Sequence, residues 1–145
     1  MTIMKKIVIA ICLTLGISIT LHPFCSLAEN INTDKPSKAL LYHDIVISML
    51  LPKIQNKINE FYSAILTRYP NVYPYMVYVE NIKRLDNFRG FIFSITVKVN
   101  PVVGPHISVG TDKMTFKIDG SRVRLTKFNH IKTEKLPPHW QHIVR

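Results

Sequence analysis

Histidine is the residue type through which this sequence most readily offers chemistry. After residue 28 the chain carries five of them, at His43, His106, His130, His139 and His142. Imidazole exchanges protons near neutral pH and is a common metal ligand. His139 and His142 have the spacing to share a metal on one helical turn, and His106 or His130 would then have to complete the site. The H-E-x-x-H spacing of metalloproteases is absent, and H-x-x-H pairs arise by chance, so we expect no metal site. We also expect no cofactor.

The loop Gly104-Pro105-His106 has two interpretations. In the functional one, a rigid rim holds His106 over the open end of a sheet. In the simpler one, which we favour, Gly frees one φ angle, Pro fixes the next and His106 caps a loop carbonyl.

Recognisable catalytic motifs are missing around these histidines. No serine sits in a G-x-S-x-G elbow, no glycine loop could hold a phosphate, and the acids, Asp112 among them, fall mostly in predicted turns or at solvent-facing positions. An enzyme would have to transfer protons through His106 and His130. The sequence therefore favours a protein without catalysis and assigns no catalytic residue.

Basic charge is the other strong signal, because 19 Lys and Arg face 9 Asp and Glu, a formal net charge of +10. The alternation described below puts several of these residues on the outer face of a sheet, namely Lys98, Lys113, Lys117, Arg122, Arg124 and Lys127. Such a surface attracts polyanions in a salt-sensitive way. The alternative is that these charges only keep the outer face soluble. We name Lys98, Lys117, Arg122 and Arg124, together with His106 and His130, as candidate binding residues.

The N-terminus has the three parts of a secretory signal peptide. Lys5 and Lys6 precede the apolar run 7–21, and Ser26-Leu27-Ala28 offers small residues before a cleavage site. We predict cleavage near Ala28 and a secreted or envelope-associated protein; the alternative is an uncleaved anchor. Cleavage would remove both cysteines, Cys12 and Cys25, and with them any disulfide or thiolate chemistry. Partners would be anionic cell-wall polymer or membrane headgroups, and we expect no nucleic acid.

A long helix follows a short flexible leader at residues 29–36. Asp34 or Ser37 can cap it, and apolar residues recur at steps of three and four from Ala39 to Tyr69. Pro52 lies inside this pattern and predicts a kink or two abutting helices.

Strands follow the helix, because the apolar period changes to two after Pro74. Residues 91–99 alternate most clearly, a longer connection spans 101–111, and Asp119-Gly120 predicts a two-residue hairpin loop. That loop would place Phe116 opposite Val123, and a change of phase near Lys127-Phe128 predicts a bulge.

The predicted fold class is α+β: a long or kinked helix packed on a curved four-stranded antiparallel meander, with a cystatin-like or NTF2-like shape. One domain would span residues 37–132, and 133–145 would form a C-terminal tail that Trp140 anchors to the body.

Three helical motifs, Tyr42-His43-Asp44, Leu50-Leu51-Pro52 and Phe61-Tyr62, point to a family, as do the strand-region motifs 103–106, 114–116 and 128–130. Over residues 39–131 the chain resembles an uncharacterised family of small exported proteins of Gram-positive bacteria, domain of unknown function 3888. The resemblance implies export and this fold, and it carries no activity or site residues.

Three functions remain as hypotheses. The first is a non-catalytic binding or envelope-associated protein. The second is a small hydrolase-like or ligand-pocket enzyme that uses His106 and His130. The third is a structural or assembly protein of the cell envelope or spore.

Overall fold

The computed structural model describes residues 36–145, so the predicted signal peptide and most of the predicted leader lie outside the described residues. The first element is α1 (Lys38–Tyr62), which Ser37 caps by accepting a hydrogen bond from the Leu40 backbone N–H at 3.0 Å. Pro52 lies inside this single helix, so the prediction of two abutting helices is wrong. No described helix is both apolar enough and long enough to span a bilayer.

The helix ends seven residues before the predicted end at Tyr69. The chain after Tyr62 pairs instead with the C-terminal segment: Leu66 and Val144 form an antiparallel bridge, and the Ile65 carbonyl accepts a hydrogen bond from the Arg145 N–H at 2.9 Å. Because the C-terminal segment is distant in sequence, local periodicity does not reveal that the residues after Tyr62 pair with it instead of continuing the helix.

The strands in chain order are β1 (Val77–Arg84), β2 (Ile92–Val99), β3 (Val102–Val103), β4 (Ile107–Ser108), β5 (Gly110–Asp119) and β6 (Arg122–Thr133). The four long strands form one antiparallel sheet in the order β1-β2-β5-β6. The predicted α+β class with one helix and a four-stranded antiparallel sheet is therefore confirmed. Each strand in this sheet follows its neighbour by a hairpin or a short excursion, as expected of a meander.

The connection between β2 and β5, predicted as a longer connection over residues 101–111, contains a small hairpin of its own. It consists of β3 (Val102–Val103) and β4 (Ile107–Ser108), and Gly104-Pro105-His106 forms its turn. Gly104 and His106 both adopt positive φ angles, of 49° and 63°. The positive φ of Gly104 agrees with the interpretation as a turn, but the His106 ring does not cap a loop carbonyl, because its Nδ1 lies 3.1 Å from Tyr75 Oη.

The β5–β6 register differs from the prediction by two residues. Asp119 pairs with Arg122, so the loop is Gly120-Ser121 and Phe116 lies opposite Leu125 rather than Val123. A shift of two leaves every side chain on its predicted face, because side chains alternate with a period of two. The bulge predicted near Lys127 is present, since the register shifts between Thr115 and Phe116, and a second shift follows between Thr111 and Asp112.

The core lies between α1 and one face of the sheet. The helix contributes Ile47, Leu50, Ile54, Ile58 and Tyr62, and the strands contribute Ile95, Val97, Val99, Met114 and Phe116. The predicted tail also belongs to this core, because Leu136 and Ile143 are buried in it. Burial of the inward-facing side chains decreases towards the start of β2. Val99 and Ile95 are buried, Phe93 is half-buried, and Phe91, just before the strand, is exposed. The core therefore fills only one end of the inner face.

Candidate functional site

The outer face of the sheet collects the basic residues. Cross-strand pairing aligns Lys83, Ser94, Lys117 and Arg124 in one row, and Tyr78, Lys98, Lys113 and Asn129 in another. Between the rows lie Thr96 and Thr115, whose hydroxyl oxygens are 3.0 Å apart, with Lys127 beside them. Every one of these side chains is exposed or half-buried, so the face is open to a ligand.

Two acids reduce the charge of this face. Glu80 Oε2 lies 2.7 Å from Lys113 Nζ, and Asp119 Oδ2 lies 3.4 Å from an Arg122 nitrogen. Five further cations on the face have no ion-pair partner among residues 36–145: Lys83, Lys98, Lys117, Arg124 and Lys127. The outer face is thus strongly positive, which a polyanion would complement.

A buried hydrogen-bonded cluster occupies the opposite, inner face near the end of the sheet. Among residues 36–145, Asp112 is the only buried residue with a charged side chain; it has no exposed surface and comes from β5. Its Oδ1 lies 2.7 Å from His130 Nδ1, and its Oδ2 accepts a hydrogen bond from Tyr62 Oη at 3.0 Å. His130 Nε2 lies 2.7 Å from Thr133 Oγ1, so a carboxylate, an imidazole and a hydroxyl form one chain.

Burial controls the ionisation of this cluster. Removal from water raises the pKa of the Asp112 carboxyl, and the hydrogen bonds from His130 and Tyr62 only partly oppose that rise. Burial and the adjacent Asp112 charge both raise the pKa of the Tyr62 phenol far above its ordinary value. Tyr62 therefore remains protonated and acts as a permanent donor to the carboxylate.

Gly110 makes the close approach of these groups possible. A Cβ atom at this position would overlap Tyr62 Oη and the backbone carbonyl of Lys132. Beside the cluster is a cavity of about 170 Å³, mostly apolar, whose lining includes Tyr62, Thr133, Glu134 and Leu136. Thr133, at the end of the hydrogen-bonded chain, is thus one of the residues that line a cavity.

His106 lies in a separate aromatic cluster at the β3–β4 turn. Its ring stacks on Tyr73 with centroids 5.0 Å apart, and its Nδ1 lies 3.1 Å from Tyr75 Oη. On the other side of the turn, the indole of Trp140 packs so closely on Gly104 that a Cβ there would overlap it. Trp140 holds the C-terminal segment to the body in the way its sequence position predicted.

The six candidate binding residues therefore separate into three places. Lys98, Lys117 and Arg124 share the outer face, and Arg122 lies at its edge in an ion pair with Asp119. His106 and His130 have no hydrogen-bond or ring partner in common within residues 36–145. The structure gives no basis for treating the two histidines as one proton-transfer pair.

The pair His139 and His142 is also not arranged as a metal site. His142 Nδ1 lies 3.0 Å from the His139 carbonyl oxygen, and the His142 ring stacks on Trp140. Across the described part of the chain, no three His, Cys, Asp or Glu side chains are grouped so that they could hold a metal ion.

Asp112 and Tyr62 were missed as site residues. Asp112 was counted among acids of which most were expected in turns or at solvent-facing positions, and the structure buries it completely. The signal was available, because Asp112 is in phase with Met114 and Phe116 and so belongs to the inward set of β5. The prediction began this strand too late, at Met114, to include it.

Comparison with protein-family models matches residues 42–132 to the family described as Protein of unknown function (DUF3888). The matched region is well over half of the chain. The chain belongs to this family. Neither the curated proteins nor the solved structures contain a significant match.

The DUF3888 region includes most of α1 and nearly the whole sheet. Tyr62, Asp112 and His130 lie within it, whereas Thr133 and the core residues Leu136 and Ile143 lie just beyond its end. Membership in DUF3888 confirms the resemblance seen in the sequence and assigns no activity.

Proposed function

We propose that this protein is an exported, non-catalytic binding protein of the cell envelope whose outer sheet face holds a phosphate-rich polyanion. Anionic wall polymer and lipid headgroups present the same phosphate chemistry, and either source would satisfy the face. In this proposal the signal peptide is removed near Ala28, and the sheet wraps the helix in a cystatin-like manner.

The observation that carries the proposal is the concentration of unpaired cations on one open face. Lys83, Lys117 and Arg124 align across three strands, and Lys98 and Lys127 flank them. Adjacent strands are about 4.8 Å apart, so a flexible polymer with repeating phosphates can contact several cations at once. Thr96 and Thr115 add hydroxyl donors between the rows.

Screening gives this mode of binding a distinctive signature. Exposed charges lose most of their attraction beyond a Debye length of about 8 Å at physiological ionic strength, so affinity should fall steeply as salt rises. The affinity of a pocket that recognised one small molecule through buried hydrogen bonds would depend on salt concentration far less.

The experiment compares two charge variants of equal net charge. K117Q/R124Q removes two cations from the outer face, and K53Q/K135Q removes two exposed cations elsewhere. Retention is measured on lipid-free anionic wall polymer and, separately, on phosphatidylglycerol vesicles, across a salt series. We expect K117Q/R124Q to weaken retention on the true source by about tenfold while K53Q/K135Q changes it little.

Equal loss in both variants would mean that net charge alone attracts the polymer, and no retention of the wild type at low salt would overturn the proposal. The structural or assembly role would then become the better hypothesis. Mass spectrometry of the culture medium and the cell fractions tests the export component through the mature N-terminus.

A second candidate function rests on the chain Asp112–His130–Thr133. Its order of carboxylate, imidazole and hydroxyl is that of a nucleophile activated by a base, and Thr133 lines a cavity. In this form of the enzyme hypothesis, Thr133 is the nucleophile, His130 is the base and Asp112 positions His130. His106, which the sequence paired with His130, has no role in it.

Oxyanion stabilisation is the weak element of this candidate, because the backbone N–H that follows Thr133 already donates to the Val109 carbonyl at 3.0 Å. Labelling with a fluorophosphonate tests it directly. An adduct on Thr133 that T133V and H130Q abolish would support catalysis, and an unlabelled chain would exclude this nucleophile.

A further inference from the structure

We infer that the tip of the β1–β2 hairpin, residues 85–91, is a membrane-inserting wedge that enters the surface of an anionic lipid bilayer. Its apolar residues Leu85, Phe88 and Phe91 do not belong to the outer sheet face, although Lys83 and Arg122 are shared with that face, so the inference goes beyond the proposed function in its mode of contact. It names one occupant, a bilayer, and one mode of contact, insertion of apolar side chains beneath the phosphates.

Exposed apolar side chains are concentrated at this tip. Phe88 is 95% exposed and Phe91 is 73% exposed, and Leu85 lies beside them with more than half of its surface in contact with solvent. Exposure of two phenylalanines and a leucine to water is unfavourable, and burial of their apolar surface would be favourable. The core does not cover them, because it fills only the other end of the inner face.

The turn presents these side chains in a defined geometry. Leu85 N–H donates to the Ile92 carbonyl and Gly90 N–H to the Asn87 carbonyl, each at 2.8 Å. Asp86 Oδ1 accepts a hydrogen bond from the Asn87 N–H, also at 2.8 Å. An apolar tip fixed by three hydrogen bonds has less conformational entropy to lose on insertion than a disordered loop.

Charge complementarity identifies the occupant. Lys83, Arg84 and Arg89 surround the apolar residues, and only Asp86 opposes them within residues 83–91. The β5–β6 turn lies at the same end of the sheet, because Asp119 pairs with Ile92, and it adds Arg122 together with its ion-pair partner Asp119. Apolar residues ringed by cations match a bilayer, whose acyl chains lie beneath anionic phosphates.

One of these cations, Arg84, also packs on an aromatic side chain. The Arg84 guanidinium lies 4.6 Å from the centroid of the Phe93 ring, on the apolar side of the sheet. An arginine held over an aromatic ring can keep its charged group at the headgroup level while its stem and the ring face the acyl chains.

The experiment places a fluorescent reporter at the tip of the full chain. The only native tryptophan, Trp140, is removed with W140F, and F88W or Y69W is then introduced. Tyr69 is the matched control, since it is an exposed aromatic at 65% exposure that lies outside the hairpin. Vesicles contain equal parts of phosphatidylglycerol and phosphatidylcholine, with and without brominated acyl chains.

We expect the emission of W140F/F88W to shift to shorter wavelength and to be quenched by brominated lipid, while W140F/Y69W keeps the emission it has in water. Because this readout reports the position of the tip, it is independent of any vesicle binding through residues 1–35. If W140F prevents folding, F88W and Y69W are compared with the wild-type chain by difference spectra.

A second arm tests the cations. R84Q/R89Q in the W140F/F88W background should raise the lipid concentration for half-maximal quenching at least about tenfold, and K53Q/R68Q should not. An aqueous environment for position 88 in the presence of vesicles, or equal effects of the two double variants, would overturn the inference. Failure of wall-polymer retention would leave it intact, because that assay contains no lipid.

Discussion

Tyr62 Oη donates a hydrogen bond to Asp112 Oδ2 at 3.0 Å, and this bond joins the last residue of α1 to the third residue of β5. Both side chains are buried, and His130 completes the arrangement from β6. A helix and two strands that are distant in sequence therefore meet at one carboxylate.

Removing the phenol should destabilise the fold. Y62F leaves Asp112 Oδ2 without its donor in a site that water does not reach, and an unsatisfied buried acceptor costs about 1–3 kcal/mol. Urea unfolding followed by far-ultraviolet circular dichroism measures this loss. Y42F, at an exposed tyrosine of the same helix, should change the free energy of unfolding by less than about 0.5 kcal/mol. Equal values for the two variants would contradict the buried bond.

Asp112 should make stability depend on pH in a direction opposite to that of a salt-bridged carboxylate. Because burial raises its pKa, the folded state holds the proton more tightly than the unfolded state does. The free energy of unfolding should therefore fall as pH rises from about 4, the unfolded pKa, through the raised folded pKa. D112N cannot titrate, so the difference between wild type and D112N should decline over this window and then become constant.

The two groups that face Asp112 allow this pH effect to be checked. Tyr62 stays protonated throughout, whereas the His130 hydrogen bond lowers the pKa of Asp112 and so limits its rise. In H130Q the decline should extend to higher pH. A wild-type stability that rises over the same window relative to D112N would show that the carboxylate is stabilised in its ionised form.

The contact between Gly104 and Trp140 predicts an unequal effect of two glycine substitutions. G104A and G120A both place alanine at a positive φ, of 49° and 58° respectively. A Cβ at Gly120 meets open space, whereas one at Gly104 overlaps the indole. G120A should cost about 1 kcal/mol and G104A about 2 kcal/mol more, with a change in tryptophan emission only in G104A. Thermal or urea unfolding measures both.

Ser37 should contribute to stability as a helix cap. S37A removes the side-chain oxygen that accepts from the Leu40 N–H, which costs about 1 kcal/mol. S48A, at an exposed position inside the same helix, should be neutral or slightly stabilising because alanine has the higher helix propensity. A loss at position 48 equal to that at 37 would contradict capping.

Local patterns account for the parts of the fold that were predicted well. The spacing of Ile47, Leu50, Ile54 and Ile58 predicted a helix with one buried stripe. Alternation in 91–99 and 114–118 identified two strands and their faces. The outer-face position of Lys98, Lys117 and Arg124 follows from the same alternation. These predictions succeeded because side-chain direction depends only on helical or strand periodicity.

Long-range pairing explains the predictions that failed. The helix was extended beyond Tyr62 because nothing near Leu66 in sequence reveals its partner Val144. The β5–β6 register was displaced by two because a two-residue loop can close at 119–120 or at 120–121 without moving any side chain to the other face. Phe91 was expected on the buried side of its strand, yet the core ends before it reaches that position.

The sequence by itself determined the α+β class, the basic outer face and the membership of this chain in its family, because each depends on residue order or short-range period. Only the tertiary structure decided that Asp112 meets Tyr62 and His130, that His106 and His130 lie in different clusters, and that Phe88 and Phe91 stay uncovered. These facts depend on how far the helix extends over the sheet and on where two bulges shift a strand. Both are set by packing between segments that are far apart in the chain.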